Sequence, residues 1–154
     1  MRLRFRVNGT PAEVDARPDE MLREVLARLG FVGVRETCGI GVCGVCTVLL
    51  DGETVSSCLL LAPLAEGREI ATAEGLGGDH PVQAAFVEAH AFQCGYCTPG
   101  MVLTAARLLE ENPQPTEEEI RLGLAGNLCR CGSYVKIVEA VQLAARRKEG
   151  AWTS

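Results

Sequence analysis

The sequence predicts an α+β chain in two parts, a small mixed unit of short strands with one helix and then a four-helix bundle. The apolar period changes from two to about 3.6 near mid-chain. Residues 73–79, with Gly75, Gly77 and Gly78, form a flexible seam where it changes. The eight cysteines divide into four before that seam and four after it. The expected domains are therefore 1–76 and 77–154. Cores of that size are marginal alone, so bound metal or a partner subunit is expected to help hold them.

Residues 1–16 read as a β-hairpin: Leu3, Phe5 and Val7 alternate with Arg2, Arg4 and Arg6, and Asn8-Gly9 supplies a two-residue turn before a strand near 12–16. Pro18-Asp-Glu opens a helix with Leu22, Val25, Leu26 and Leu29 on one face and Gly30 as its stop. Residues 32–46 hold three cysteines and four glycines and read as an irregular loop. Strands follow at 47–50, 54–60 and 69–72, with Asp51-Gly52 as a second hairpin turn. Beyond the seam, Val82, Ala85, Phe86 and Ala89 mark a helix over 81–92. The next spans 99–111, capped by Thr98, with Pro99 in its first turn and Asn112-Pro113 at its end. Thr116-Glu-Glu-Glu119 is a capping box for a short helix to Ala125. The last helix covers 133–148, capped by Ser133, with Tyr134, Ile137, Val138, Val141 and Ala145 as its buried stripe.

Composition narrows the function classes. Fifteen Lys and Arg against twenty Asp and Glu leave a net charge of −5, spread over both halves with no basic stripe, so nucleic-acid binding has no electrostatic footprint. No apolar run approaches 18 residues, and the start alternates like a strand instead of reading as an export signal. A cytoplasmic, reducing compartment is the expectation, in which eight cysteines point to metal more than to disulfides.

Spacing sharpens that reading. Cys38-x4-Cys43-x2-Cys46 with the distal Cys58 is the plant-type [2Fe–2S] pattern. Two ferric ions, two sulfides and four thiolates carry a charge of about −2, so the chain must offer hydrogen-bond donors to the sulfurs. Glycines at 39, 41 and 44 allow positive φ and turn N–H groups inward, while Arg35 just before the loop reads as a solvated surface residue ahead of a source of positive charge for it. The second set is Cys94-x2-Cys97 with Cys129-x-Cys131. Cys97 and Cys131 each lie just before a predicted helix, so two helix N-termini would face one anionic site. Two closed zinc sites, four disulfides or a reactive-cysteine enzyme are the alternatives. Zinc favours paired Cys-x2-Cys knuckles, disulfides suit an exported chain, and a catalytic cysteine needs a base where only His80 and His90 are available. His80 reads as a cap at a helix start and His90 as a surface residue.

Glu36-Thr-Cys-Gly-Ile-Gly-Val-Cys-Gly-Val-Cys46, Gln93-Cys-Gly-Tyr-Cys-Thr-Pro-Gly-Met101 and Gly126-Asn-Leu-Cys-Arg-Cys131 together resemble the iron–sulfur subunit of molybdenum hydroxylases, the xanthine dehydrogenase, aldehyde oxidoreductase and carbon monoxide dehydrogenase group. The resemblance covers nearly the whole chain. It implies a β-grasp ferredoxin-like domain followed by a helical [2Fe–2S]-binding domain. It implies that Cys38, Cys43, Cys46 and Cys58 ligate the first cluster and Cys94, Cys97, Cys129 and Cys131 the second. The second cluster would lie nearest a molybdopterin held by a large partner subunit, with Gln93 and Cys131 beside that cofactor. By itself the sequence reads Gln93 only as a polar residue at a helix end. Electrons would pass on to FAD in a medium subunit, or to another acceptor, within a dimer of heterotrimers. One departure stands out: Gly132-Ser133-Tyr134 replaces the family's usual Thr-Gly-Tyr and puts any contact by that threonine hydroxyl in doubt.

The expected function is electron transfer without substrate chemistry on this chain, which carries no phosphate-cradling glycine motif and no general-base constellation. The rival is a free-standing, diffusible two-cluster carrier, for which unclustered charge is a weak steering field. A permanent subunit should expose apolar surface when alone, with Val32, Val34, Ile40, Val42 and Val45 as candidates for a covered rim, some of them local core. Purines, aldehydes, carbon monoxide, N-heteroaromatic acids and aromatic thioesters all fit the resemblance, because the large subunit builds the substrate pocket. The basic tail 146–148 reads as a solvated helix end.

Overall fold

The computed structural model describes residues 1–148. Strand β1 (Arg2–Val7) turns at Asn8-Gly9 into β2 (Thr10–Asp15), with Asn8 at φ 51° and Gly9 at φ 76°. Helix α1 (Leu22–Arg28) follows, and after the long loop come β3 (Thr47–Leu50), β4 (Glu53–Ser56) and β5 (Glu69–Ala71). The five strands form one mixed sheet in the order β2-β1-β5-β3-β4. Only the β1–β5 pair is parallel; the others are antiparallel. Leu3, Phe5 and Val7 from β1, Val48 and Leu50 from β3 and Ile70 from β5 meet Leu22, Val25 and Leu26 of α1 in one buried core. This is the mixed sheet-and-helix unit expected of the first half.

The second half is helical: α2 (Pro81–Glu88), α3 (Thr98–Glu111), α4 (Glu117–Gly123) and α5 (Tyr134–Lys148). They enclose a separate core that includes Phe86, Met101, Leu109, Ile120, Ile137 and Val141. Thr116 and Glu119 make the predicted reciprocal capping box at α4. Among the described residues no helix is long and apolar enough to cross a membrane.

Several expectations need correction. Helix α1 begins at Leu22 because Arg17 to Glu20 close a turn of their own, with the Arg17 N–H on Glu20 Oε2 at 3.1 Å, while Met21 bridges to Leu61. The strand predicted over 54–60 stops at Ser56, and the chain turns so that Cys58 is carried inward and buried. The seam is ordered: residues 73–76 form a 3-10 turn, and Asn8 holds Thr72 by two hydrogen bonds of 2.8 and 2.9 Å. Helix α2 ends at Glu88, before His90 at φ 51°. The N-cap of α3 is Cys97, and Thr98 is its first helical residue. Tyr134 is exposed instead of joining the buried stripe. The rim candidates divide as expected, Val34 and Val45 being core and Val32, Ile40 and Val42 exposed. Arg147 pairs with Glu88, so the basic tail is not wholly solvated. His80 caps α2 as expected, its Nδ1 accepting from the Val82 N–H.

Candidate metal centres

The loop between α1 and β3 is shaped by Gly39, Gly41 and Gly44, at φ 65°, 74° and 72°. These reversals wrap the backbone around Cys38, whose Sγ accepts from the N–H groups of Ile40 (3.5 Å), Val42 (3.4 Å) and Cys43 (3.4 Å). Those N–H groups, with the Cys43 thiol, hold the Cys38 thiol down to about 6. Cys43, Cys46 and Cys58 are buried. Burial, the Cys46 thiol and the neighbouring sulfurs push Cys58 up to about 11, against a Gly41 N–H that favours its thiolate.

In the helical half, Cys94 and Cys131 are exposed, Cys97 is half-buried and Cys129 is buried. The Tyr96 N–H faces Cys94 Sγ at 3.5 Å, and with the Cys131 thiol it lowers Cys94. At the start of α5 the Ser133 N–H points at Cys129 Sγ, also at 3.5 Å. Burial acts upward on Cys129, but the Ser133 N–H, its hydroxyl and the Cys97 thiol outweigh it and the net direction is down. Cys97, desolvated at the head of α3 and beside Cys129 and Cys94, is pushed up to about 12. Tyr134 serves this loop from outside, its hydroxyl accepting from the Cys129 N–H at 2.8 Å.

The structure thus gathers all eight predicted cysteines into the two expected sets, and within each set the thiols associate in pairs. Cys38 interacts with Cys43 and Cys58 with Cys46; Cys94 interacts with Cys131 and Cys97 with Cys129. Two pairs of thiolates are the donor set of a [2Fe–2S] cluster, two per iron. All eight cysteines are free thiols in this structure. Inward N–H groups at both sets complete the fit of these residues to anionic clusters.

A cavity of about 380 Å3 opens beside the second set, lined by Cys94, Cys97 and Cys129, and reaches Cys43 of the first. Its walls are fastened by residues that the spacing does not single out. The Leu128 N–H donates to the Cys43 carbonyl at 2.9 Å. Asn127, only 5% exposed, donates to the Gly44 carbonyl at 3.1 Å. A Cβ on Gly44 would lie 2.3 Å from the Gly126 carbonyl, and one on Gly100 would lie 2.4 Å from the Gly44 carbonyl. Asn127 stands within one of the three motifs, but nothing in one sequence says that its amide crosses to the other half. Arg35 needs correction: its guanidinium reaches past its own loop to the Gly95 and Tyr96 carbonyls at 2.7 and 3.0 Å. Gln93 Nε2 donates to the Cys131 carbonyl at 3.3 Å, which joins these two residues on the exposed side of the second set.

Comparison with known proteins agrees with this geometry. Residues 5–76 match the 2Fe-2S iron-sulfur cluster binding domain and residues 72–142 the [2Fe-2S] binding domain. The chain is 49% identical to one of the subunits of nicotinate dehydrogenase from Pseudomonas putida, over 94% of this chain and 96% of the relative. It is 48% identical to the xanthine dehydrogenase iron-sulfur-binding subunit of Escherichia coli, over 88% of each chain. Its fold superposes on a chain of quinoline 2-oxidoreductase from Pseudomonas putida 86 with a TM-score of 0.91, at 41% identity and 97% coverage of both. These relatives favour a subunit over a free-standing carrier. The chain belongs to the family of iron–sulfur electron-transfer subunits of molybdenum hydroxylases.

Proposed function

We propose that Cys38, Cys43, Cys46 and Cys58 ligate one [2Fe–2S] cluster and Cys94, Cys97, Cys129 and Cys131 the other, in domains that divide near residue 76. Electrons enter at the second centre and leave through the first. The observation that supports this reading is the two-by-two interaction of thiols within each set, with inward N–H groups at both. When bound, the clusters supply one-electron acceptance without bond making, at potentials for which plant-type centres near about −400 mV are the reference.

The chain's own residues give the route its direction. Cys94 and Cys131 are exposed, and the Gln93 amide is held on the Cys131 carbonyl beside them, so this is the side offered to a molybdopterin in a large partner subunit. In the first loop, Ile40 and Val42 are exposed and suit an onward acceptor, an FAD-binding medium subunit. The assembly is a cytoplasmic dimer of heterotrimers. Substrate choice lies outside this chain, since relatives at 48% and 49% identity serve enzymes named for xanthine and for nicotinate.

Purification of the chain from its native cell with whatever accompanies it tests this. The expected result is a molybdenum protein in the complex, about four irons per copy of this chain and two distinct spin signals on reduction. A chain that runs alone overturns the partner assignment, and a single signal with about two irons overturns the ligand assignment.

A further inference from the structure

Arg35 and Cys94 lie in different halves of the molecule, yet a single peptide group connects them. Arg35 Nη1 donates to the Gly95 carbonyl oxygen at 2.7 Å. The N–H of that same peptide, belonging to Tyr96, points at Cys94 Sγ at 3.5 Å. The guanidinium also donates to the Tyr96 carbonyl at 3.0 Å and lies 5.1 Å from the centre of the Tyr96 ring. The Tyr96 hydroxyl returns a hydrogen bond to the Glu36 carbonyl at 2.7 Å. The arginine is therefore held on both faces of the Gly95–Tyr96 unit.

We propose that Arg35 is a positioning residue for the second centre: it fixes and polarises the Gly95–Tyr96 peptide so that its N–H stabilises negative charge on Cys94, and thereby raises the reduction potential of that centre and not of the first. The inference rests on the ligand assignment above. A cation on a peptide oxygen draws electron density from the amide nitrogen and makes its N–H a stronger donor, and hydrogen bonds in such chains reinforce one another. One electron arriving at this centre adds one negative charge to the cysteine sulfurs and their cluster, with no bond made or broken. The polarised N–H therefore favours the reduced form. Arg35 lies only three residues before Cys38, but its Nη1 hydrogen bonds reach the other loop, so the first centre gains less from it.

The test is a potentiometric titration of the iron-loaded complex, with the two spin signals assigned by the line-shape change that Cys131→Ser imposes on one of them. Arg35→Met removes charge and donors, and Arg35→Lys keeps a cation with fewer fixed donors. The expected order for the second centre is wild type, then Arg35→Lys, then Arg35→Met, with the last about tenfold harder to reduce, ~59 mV for one electron. The first centre should move by less than half as much. An equal or larger shift at the first centre would show that the charge acts on its own loop and overturns the inference. Full iron content with no shift at either centre overturns it too, and so does loss of the second cluster in both variants, which would make Arg35 a structural latch. Absence of a cluster from the unmutated set Cys94, Cys97, Cys129 and Cys131 would instead defeat the ligand assignment.

Discussion

The glycine loop around Cys38 and the helix ends around Cys129 hold the same kind of anionic group with different backbones. The first surrounds sulfur with successive N–H groups from residues at or beside positive-φ glycines, and buries three of its four cysteines. The second takes N–H groups from one loop and one helix start, and leaves two cysteines exposed. A loop of reversals can close over its cargo, whereas helix ends present it on an open side. One set is thus built for shielding and the other for contact, which is why the proposed route enters at the second.

Unloading one centre at a time tests that contrast most severely. Cys46→Ser and Cys129→Ser should each lower iron from about four to about two per chain and remove one spin signal while the other persists. Loss of all iron from either variant would show that the halves do not load separately.

Gly44 asks how far the two regions are mechanically one. Its φ of 72° disfavours a side chain, and a Cβ would meet the Gly126 carbonyl, so Gly44→Ala should cost about 3 kcal/mol or more and destabilise both halves together. Gly52 has φ 88° with open space around it, and Gly52→Ala should cost only about 1 kcal/mol. Thermal midpoints of the loaded variants, followed by cluster absorbance and by helical circular dichroism, check both. Equal shifts would mean that Gly44 answers only to its dihedral angle.

Alkylation of the iron-depleted chain extends the contrast to exposure. Cys94 and Cys131 should be labelled first, and Cys46 and Cys58 last, in a mass-spectrometric time course. Simultaneous labelling of all eight would mean that the first loop does not shield without its cluster.

The smallest effect is confined to the helical half. The Thr116 N–H and hydroxyl hold the Glu119 carboxyl below its ordinary range. A folded value below the unfolded one stabilises the fold above the unfolded value, roughly pH 4.3, and that stabilisation is lost as pH falls through the folded value. Glu119→Gln should therefore lower helical stability near neutrality and flatten its dependence on pH below about 4.5, with the sheet half unchanged by amide hydrogen exchange. A variant that kept the wild-type acid profile would place that sensitivity elsewhere.

Much of this is legible in the residues. Cysteine spacing divides the donors, Asn8-Gly9 and Asp51-Gly52 mark the hairpins, and Thr116 with Glu119 marks a helix start, because each depends on neighbours within a few positions. The strand before Cys58 reads too long, since its apolar run continues to Leu60 and only packing against the loop shows where it turns. Period alone assigns Tyr134 to the core, yet its hydroxyl is used at the second loop.

The division of the cysteines into two sets of four, and the kind of backbone around each, follow from the sequence without further help, because spacing and turn chemistry are local. How the centres face one another is a matter of tertiary structure. It brings the Asn127 amide onto the Gly44 carbonyl and the Leu128 N–H onto the Cys43 carbonyl, joining residues far apart in the chain. It also sends Arg35 to the far loop. Those contacts join groups that no periodicity relates, and they form only when two separately specified cores pack against each other.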